Sequence, residues 1–211
     1  HFDCFDTLQH AVGAYERFLC SVSRLALVNI DSDAGRELRA RADCAGSVES
    51  LSTRSQDADW TVANVNLRAE SMEFDVCYHG RIEDRLSLSI LGRHHIANAL
   101  AAYAALRTTA APRNLIRQGI AQFAGLGRRL ERHADWRNVR RFDDYAHHPT
   151  AVQATLTALR ESDGLGERGR LVCLFQPHQI SRTERFVREF AEALSLADVA
   201  WVLPVYAARE Q

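Results

Sequence analysis

The stretch Leu171-Val172-Cys173-Leu174-Phe175-Gln176-Pro177-His178-Gln179-Ile180-Ser181-Arg182-Thr183-Glu184 decides the fold. Its first five residues form an apolar run of strand length, and the polar Gln-Pro-His that follows ends it. Ser181 and Glu184 have the spacing of a capping box, and Phe186, Phe190 and Leu194 then recur at helical intervals. The same alternation continues outward. Upstream, Val139 to Phe142 reads as a strand, and Pro149 sets the first turn of a helix carrying Val152, Leu156 and Leu159. Downstream, Val199 to Val205 reads as a third strand. This order, with continuous apolar strands, predicts an α/β fold: an incomplete, Rossmann-like parallel sheet with right-handed crossovers.

The first half reads differently. Leu8, Val12, Tyr15 and Leu19 mark a helix within residues 5–20, and Leu25 to Ile30 is a buried-strand run. Asp31-Ser32-Asp33 can cap a following helix that contains Leu38. Thr61 to Val65, Met72 to Tyr78 and Leu86 to Leu91 alternate as short strands, with His79-Gly80 as the turn of an antiparallel hairpin. Gly92 precedes an Ala-rich helix from Arg93 to Leu106, with Ile96, Leu100 and Ala104 on one face. Pro112 starts another, carrying Leu115, Ile116, Ile120 and Phe123. The glycines of Gly125-Leu126-Gly127 then break the pattern, so two domains are expected, residues 1–125 and 126–211.

Composition narrows the function. A 211-residue chain with 46% hydrophobic and 25% charged residues is that of a folded globular protein, and no window has the length of a membrane span. A net charge of -1 argues against a whole-chain polyanion binder. All 26 basic residues are arginine, which excludes lysine chemistry such as the P-loop phosphate contact from these 211 residues. The five cysteines include no CxxC pair, as expected for reduced thiols of a cytoplasmic protein.

Each of the three C-terminal strands runs into a polar loop: Asp143 to Thr150, Gln176 to Thr183, and Pro204 to Glu210. In open α/β sheets ligands bind beyond the carboxyl ends of strands, so the loops are expected to converge on one site. Asp144 suits the diol of a ribose, or else caps a helix. His147 and His148 are adjacent and lack a carboxylate at ligand spacing, which argues against a metal pair. Arg128 and Arg129 suit the polyphosphate of a nucleotide, or else belong to a solvated hinge. A nucleic-acid role for Gly127 to Arg141 is disfavoured, because the basic run is short and holds one aromatic residue. His94 and Asn98 stand four apart on one helix face, where Asn98 either reads an adenine edge or is an ordinary surface residue.

Taken together, Gly92-Arg93-His94-His95-Ile96-Ala97-Asn98-Ala99, Gly127-Arg128-Arg129, Asp143-Asp144-Tyr145-Ala146-His147-His148-Pro149-Thr150 and Phe175-Gln176-Pro177-His178-x-x-Ser181-Arg182-Thr183 resemble the Mur ligase family. Within it they are similar to the branch that joins L-alanine to UDP-N-acetylmuramic acid, and Val205 to Glu210 fits that branch too. The resemblance implies an ATP-dependent, Mg2+-assisted ligase of peptidoglycan precursor synthesis, working through an acyl phosphate. It implies that residues 1–125 are the C-terminal part of a central ATP-binding domain and 126–211 most of the C-terminal domain. It implies that His94 and Asn98 hold adenine, Arg128 or Arg129 the phosphate or ribose, and Asp144 the ribose. Tyr145, His147, His148, His178 and Arg182 would line the substrate side, with His147, His178 and Arg182 catalytic. His1 would help to bind Mg2+.

Three departures accompany the resemblance: the family's glycine-rich lysine loop is missing, so is its UDP-sugar domain, and His95 stands where the family has Asn. A truncated chain that is inactive alone is therefore expected. A peptide-recycling ligase and a non-catalytic nucleotide-binding module remain as alternatives.

Overall fold

The structure, a computed structural model, describes residues 5, 7–44, 46–68, 71–162, 165 and 169–208. The chain divides into two compact units, residues 1–66, 73–87 and 96–121, and residues 67–72, 88–95 and 122–211.

In the first unit α1 (Leu8–Cys20) starts at Thr7, whose hydroxyl accepts the His10 amide at 3.1 Å. It leads into β1 (Leu25–Asn29) and α2 (Asp33–Arg41). Ser32 is the N-cap of α2, its oxygen 3.1 Å from the Gly35 amide. The strand β2 (Ser47–Leu51) pairs in parallel with β1 and with β3 (Trp60–Leu67). Three of its five residues are polar, so no apolar alternation marks it. The sheet continues through β4 (Met72–Tyr78) and β5 (Arg81–Leu88), in the order β1-β2-β3-β4-β5. His79 and Gly80 join the last two strands with φ of 46° and 74°, the two positive values a tight hairpin turn requires.

The helix α3 (Arg93–Arg107) buries Ile96, Leu100, Tyr103 and Ala104, the face its periodicity predicts. Tyr103 is fully buried, but its hydroxyl reaches Asp84 at 3.3 Å, so the polar tip is satisfied. In α4 (Arg113–Ala121) Ile116 and Ile120 are buried, while Leu115 is exposed and Phe123 falls beyond the helix.

The second unit corrects the expected sheet. The arginine-rich segment read as a possible hinge contains a strand, β6 (Glu131–Trp136), which pairs antiparallel with β7 (Val139–Asp143). Arg137 and Asn138 turn the chain with φ of 48° and 65°, so β7 finds its ladder in this hairpin. Among the described residues the parallel pairing here is that of β8 (Val172–Phe175) with β9 (Val199–Val202), in the register Leu174 to Trp201. The third strand thus ends at Val202, short of Val205. Between β7 and β8 runs α5 (Pro149–Glu161), with proline in its first turn as expected.

The capping box is not realised. Instead α6 (Ile180–Arg185) starts after Gln179, whose φ is 71°, and Ser181 lies inside it. Phe186, at φ -118° and ψ 24°, separates it from α7 (Val187–Leu194). The apolar pattern holds through the break: Val152, Leu156, Leu171, Phe175, Phe190 and Leu194 form one buried cluster.

Candidate active site

The loops after β7 and β8, with the segment after β9, carry the side chains of interest. Tyr145 and His147 follow β7, and their rings lie 4.9 Å apart. His178 follows β8, with its ring 6.1 Å from His147 and 5.3 Å from Tyr206. The guanidinium of Arg128 lies over the Tyr145 ring, 4.6 Å from its centre. The backbone fixes the line: the Tyr145 amide donates to the Arg128 carbonyl at 2.8 Å, and the Gln179 amide to the Tyr206 carbonyl at 2.8 Å. A single parallel bridge between His178 and Tyr206 extends the β8–β9 register past both strands. Arg128, Tyr145, His147, His178 and Tyr206 therefore form one continuous run.

Two backbone positions on this run are unusual. Arg128 and Gln179 have φ of 57° and 71°, a region costly for residues with a side chain. The Nδ1 of His178 and the Oε1 of Gln179 are buried without a hydrogen-bond partner. Buried polar atoms are normally satisfied, so these two stand out as unpaired. The His147 Nδ1 is 2.8 Å from the Tyr145 carbonyl, so this nitrogen is the donor and Nε2 is the one that faces away from that bond.

His148 and Arg182 form a second pair. Burial lowers the His148 pKa, and the nearby Arg182 charge lowers it further. Both are half-buried, and the His148 ring packs edge-on to Phe186 at 5.0 Å.

Asp144 does not join the run. One of its oxygens accepts the Leu130 amide at 2.7 Å, so it caps the turn before β6 rather than α5. Its charge acts on His94 and His95, whose rings lie 4.1 Å apart and tilted by 43°. Burial still dominates there: it lowers both pKa values, and that of His95 to about 4. Both imidazoles are thus neutral at pH 7 and can donate and accept toward a base edge. Asn98 is exposed one turn further along α3. Arg129 lines an open cleft of about 670 Å³ together with Leu130, Arg132 and Arg140. His1, the expected Mg2+ ligand, lies outside the described residues.

Glu131, His133 and Asp143 bring three potential ligand atoms within 4.8 Å of one another. This set does not fit Mg2+, which prefers oxygen ligands. Moreover, Glu131 accepts the Arg128 amide at 2.8 Å and Asp143 lies 3.8 Å from the Arg128 guanidinium. Tyr206 and Gln179 lie in two of the polar loops expected at the site, but sequence reasoning did not single them out. Their signal was present in the polar segments after Phe175 and Val202, but only the strand pairing makes them neighbours.

The Mur ligase middle domain model matches residues 1–106, and the Mur ligase, glutamate ligase domain model matches residues 128–210. A UDP-N-acetylmuramate--L-alanine ligase of Mycolicibacterium vanbaalenii is 38% identical over 226 residues, covering all of this chain and 45% of the relative. One from Mycobacterium sp. (strain JLS) is 51% identical over 126 residues, 60% of this chain and 26% of the relative. The crystal structure of UDP-N-acetylmuramate-alanine ligase MurC from Thermotoga maritima superposes with a TM-score of 0.76 at 23% identity, covering 99% of this chain and 44% of that one. That last likeness bears on the fold alone. The chain thus spans 45% of the first of these relatives. With two domain models covering most of its length in the family's order, and the histidine-bearing loops inside the second, the chain belongs to the Mur ligase family.

Proposed function

We propose that this chain is the ATP-facing and amino-acid-facing part of an ATP-dependent ligase that joins L-alanine to UDP-N-acetylmuramic acid in peptidoglycan precursor synthesis. The observation that carries the reading is the unbroken run Arg128, Tyr145, His147, His178 and Tyr206, with Arg182 beside His148. Residues 1–125 serve as the C-terminal part of the central domain, and 126–211 as the C-terminal domain.

The chemistry asks for charge control. A carboxylate is a poor electrophile until ATP phosphorylates it, and the acyl phosphate then meets an amine whose own carboxylate is anionic. Arg182 offers a guanidinium to that amino-acid carboxylate, a charge-assisted contact stronger than a neutral hydrogen bond. The Nε2 of His147 accepts the proton that the ammonium must lose before the amine attacks, and His178 packs beside that ring. Phosphate leaves as the amide forms. His148, kept neutral by burial and by Arg182, adds no competing charge. Tyr145 packs the rim and keeps Arg128 over its ring.

On the nucleotide side His94 and Asn98 hold adenine, Arg128 and Arg129 the phosphates, and Asp144 the ribose through its second oxygen. Mg2+ would neutralise phosphate charge when bound, with His1 helping to hold it. The cytoplasm, which supplies ATP and UDP-sugars, is the proposed location. Among the described residues no helix is long and apolar enough to cross a membrane.

Substrate choice tests the reading. In the polypeptide that carries this chain, labelled L-alanine is expected to pass to UDP-N-acetylmuramic acid with one ADP formed per transfer. Transfer of an intact tripeptide with no use of L-alanine would establish the recycling reading instead. Binding of ATP with neither transfer would leave a non-catalytic module.

A further inference from the structure

We propose that Cys20 and Cys44 form a reversible dithiol–disulfide pair, a modification site open to peroxides and to low-molecular-weight disulfides. Their sulfurs lie 3.3 Å apart although 24 residues separate them in sequence. Cys20 is the last residue of α1 and is exposed. Cys44 follows α2 and packs, half-buried, against the cluster of Leu19, Ala26 and Val28. Two thiols held in contact by folded structure react as an intramolecular pair, so the second step of oxidation outruns capture by another molecule.

The unequal exposure orders the steps. The Cys20 thiolate attacks hydrogen peroxide; an S–O bond forms, the O–O bond breaks, and one water leaves after protonation. The Cys44 sulfur then attacks the resulting sulfenic acid, an S–S bond forms, and the sulfenic oxygen departs as a second water. Two thiols give up two electrons and the peroxide takes both. With oxidised glutathione the same disulfide arises through a mixed disulfide, and two glutathione thiols are released. The hydrogen bond with Cys20, and then burial, hold the Cys44 thiol above its usual range, which suits a resolving thiol rather than a first attacker.

Cys77 is buried, and Cys173 packs against the apolar cluster of the second unit. Burial raises the pKa of both, so they are poor competitors for the oxidant. The bridge would tie the end of α1 to the segment entering β2, enclosing β1 and α2 in a covalent loop. Constraining the unfolded chain in this way raises thermal stability.

Peptide mapping of the 211-residue chain, fully reduced and then exposed to hydrogen peroxide or oxidised glutathione, tests the proposal. A Cys20–Cys44 linked peptide is expected, with an intact mass lower by two hydrogens, about 2 Da. Dithiothreitol should reverse it, and the oxidised chain should melt at a higher temperature than the reduced one. Cys20→Ser and Cys44→Ser should each abolish both the link and the rise. Sulfinic acid or a glutathione adduct on Cys20 without the link would overturn the proposal, as would a link from either residue to Cys4, Cys77 or Cys173. Should a serine variant fail to fold, the map of the unsubstituted chain still decides.

Discussion

Arg182→Ala is expected to lower kcat/KM for L-alanine by about 10–10²-fold, the usual cost of losing a hydrogen bond to a charged group. Arg182 lies within α6 and is half-buried, so its guanidinium is partly shielded from water, where a charged contact is worth more than at an exposed surface. The loss should fall mainly on L-alanine, as a raised KM for the amino acid with the KM for ATP little changed. Arg182→Lys should recover part of the rate but not all, because a lysine ammonium lacks the planar fork that pairs with a carboxylate. A second signature separates contact from mere folding. The Arg182 charge helps to lower the His148 pKa, so Arg182→Ala should let that pKa rise, as followed by NMR titration of the imidazole. Equal loss for ATP and L-alanine, with His148 unmoved, would remove Arg182 from the amino-acid side.

Phe74→Ala should destabilise the first unit by about 3–5 kcal/mol, the range for truncating a large buried aromatic side chain. Phe74 is fully buried in β4, the strand between β3 and β5, so the cavity cannot open to solvent without disturbing the sheet. Denaturant unfolding followed by tryptophan fluorescence is a suitable readout, since Trp60 is buried in the same unit. Trp136 and Trp201 are 57% and 66% exposed, so they change less on unfolding. The midpoint should fall with little change in slope. A midpoint shift worth under about 1 kcal/mol would mean that the strand is not the centre of a packed sheet.

Periodicity exposed what burial enforces. Val152, Leu156, Leu171, Phe175, Phe190 and Leu194 were all legible because each must face the same apolar cluster. The hairpin at His79-Gly80 was legible for a different reason, since glycine accepts positive φ without strain. In contrast, β6 leaves almost every residue exposed, so no alternation of polarity marked it. Its turn uses Arg137-Asn138, in which only Asn138 hints at the conformation. The break at Phe186 has no proline or glycine to announce it, and the serine-rich β2 carries a weak apolar pattern.

The site divides in the same way. Tyr145, His147 and His178 could be grouped from sequence because they follow strand ends. Tyr206 stood in the third of the polar loops expected to converge, and the bridge between His178 and Tyr206 past β8 and β9 makes the two direct neighbours. Asp144 was the reverse case. Its position after a strand suggested a ligand contact, yet one oxygen is committed to the Leu130 amide. That leaves a single oxygen for a ribose hydroxyl, where the sequence had suggested two.

The most direct measurement is a crystal structure of the polypeptide that carries this chain, with ADP and L-alanine bound. The amino acid is expected to sit with its carboxylate on Arg182 and its amine facing His147 and His178. Density for L-alanine elsewhere, with the Tyr145–His147–His178–Tyr206 run empty, would contradict the account.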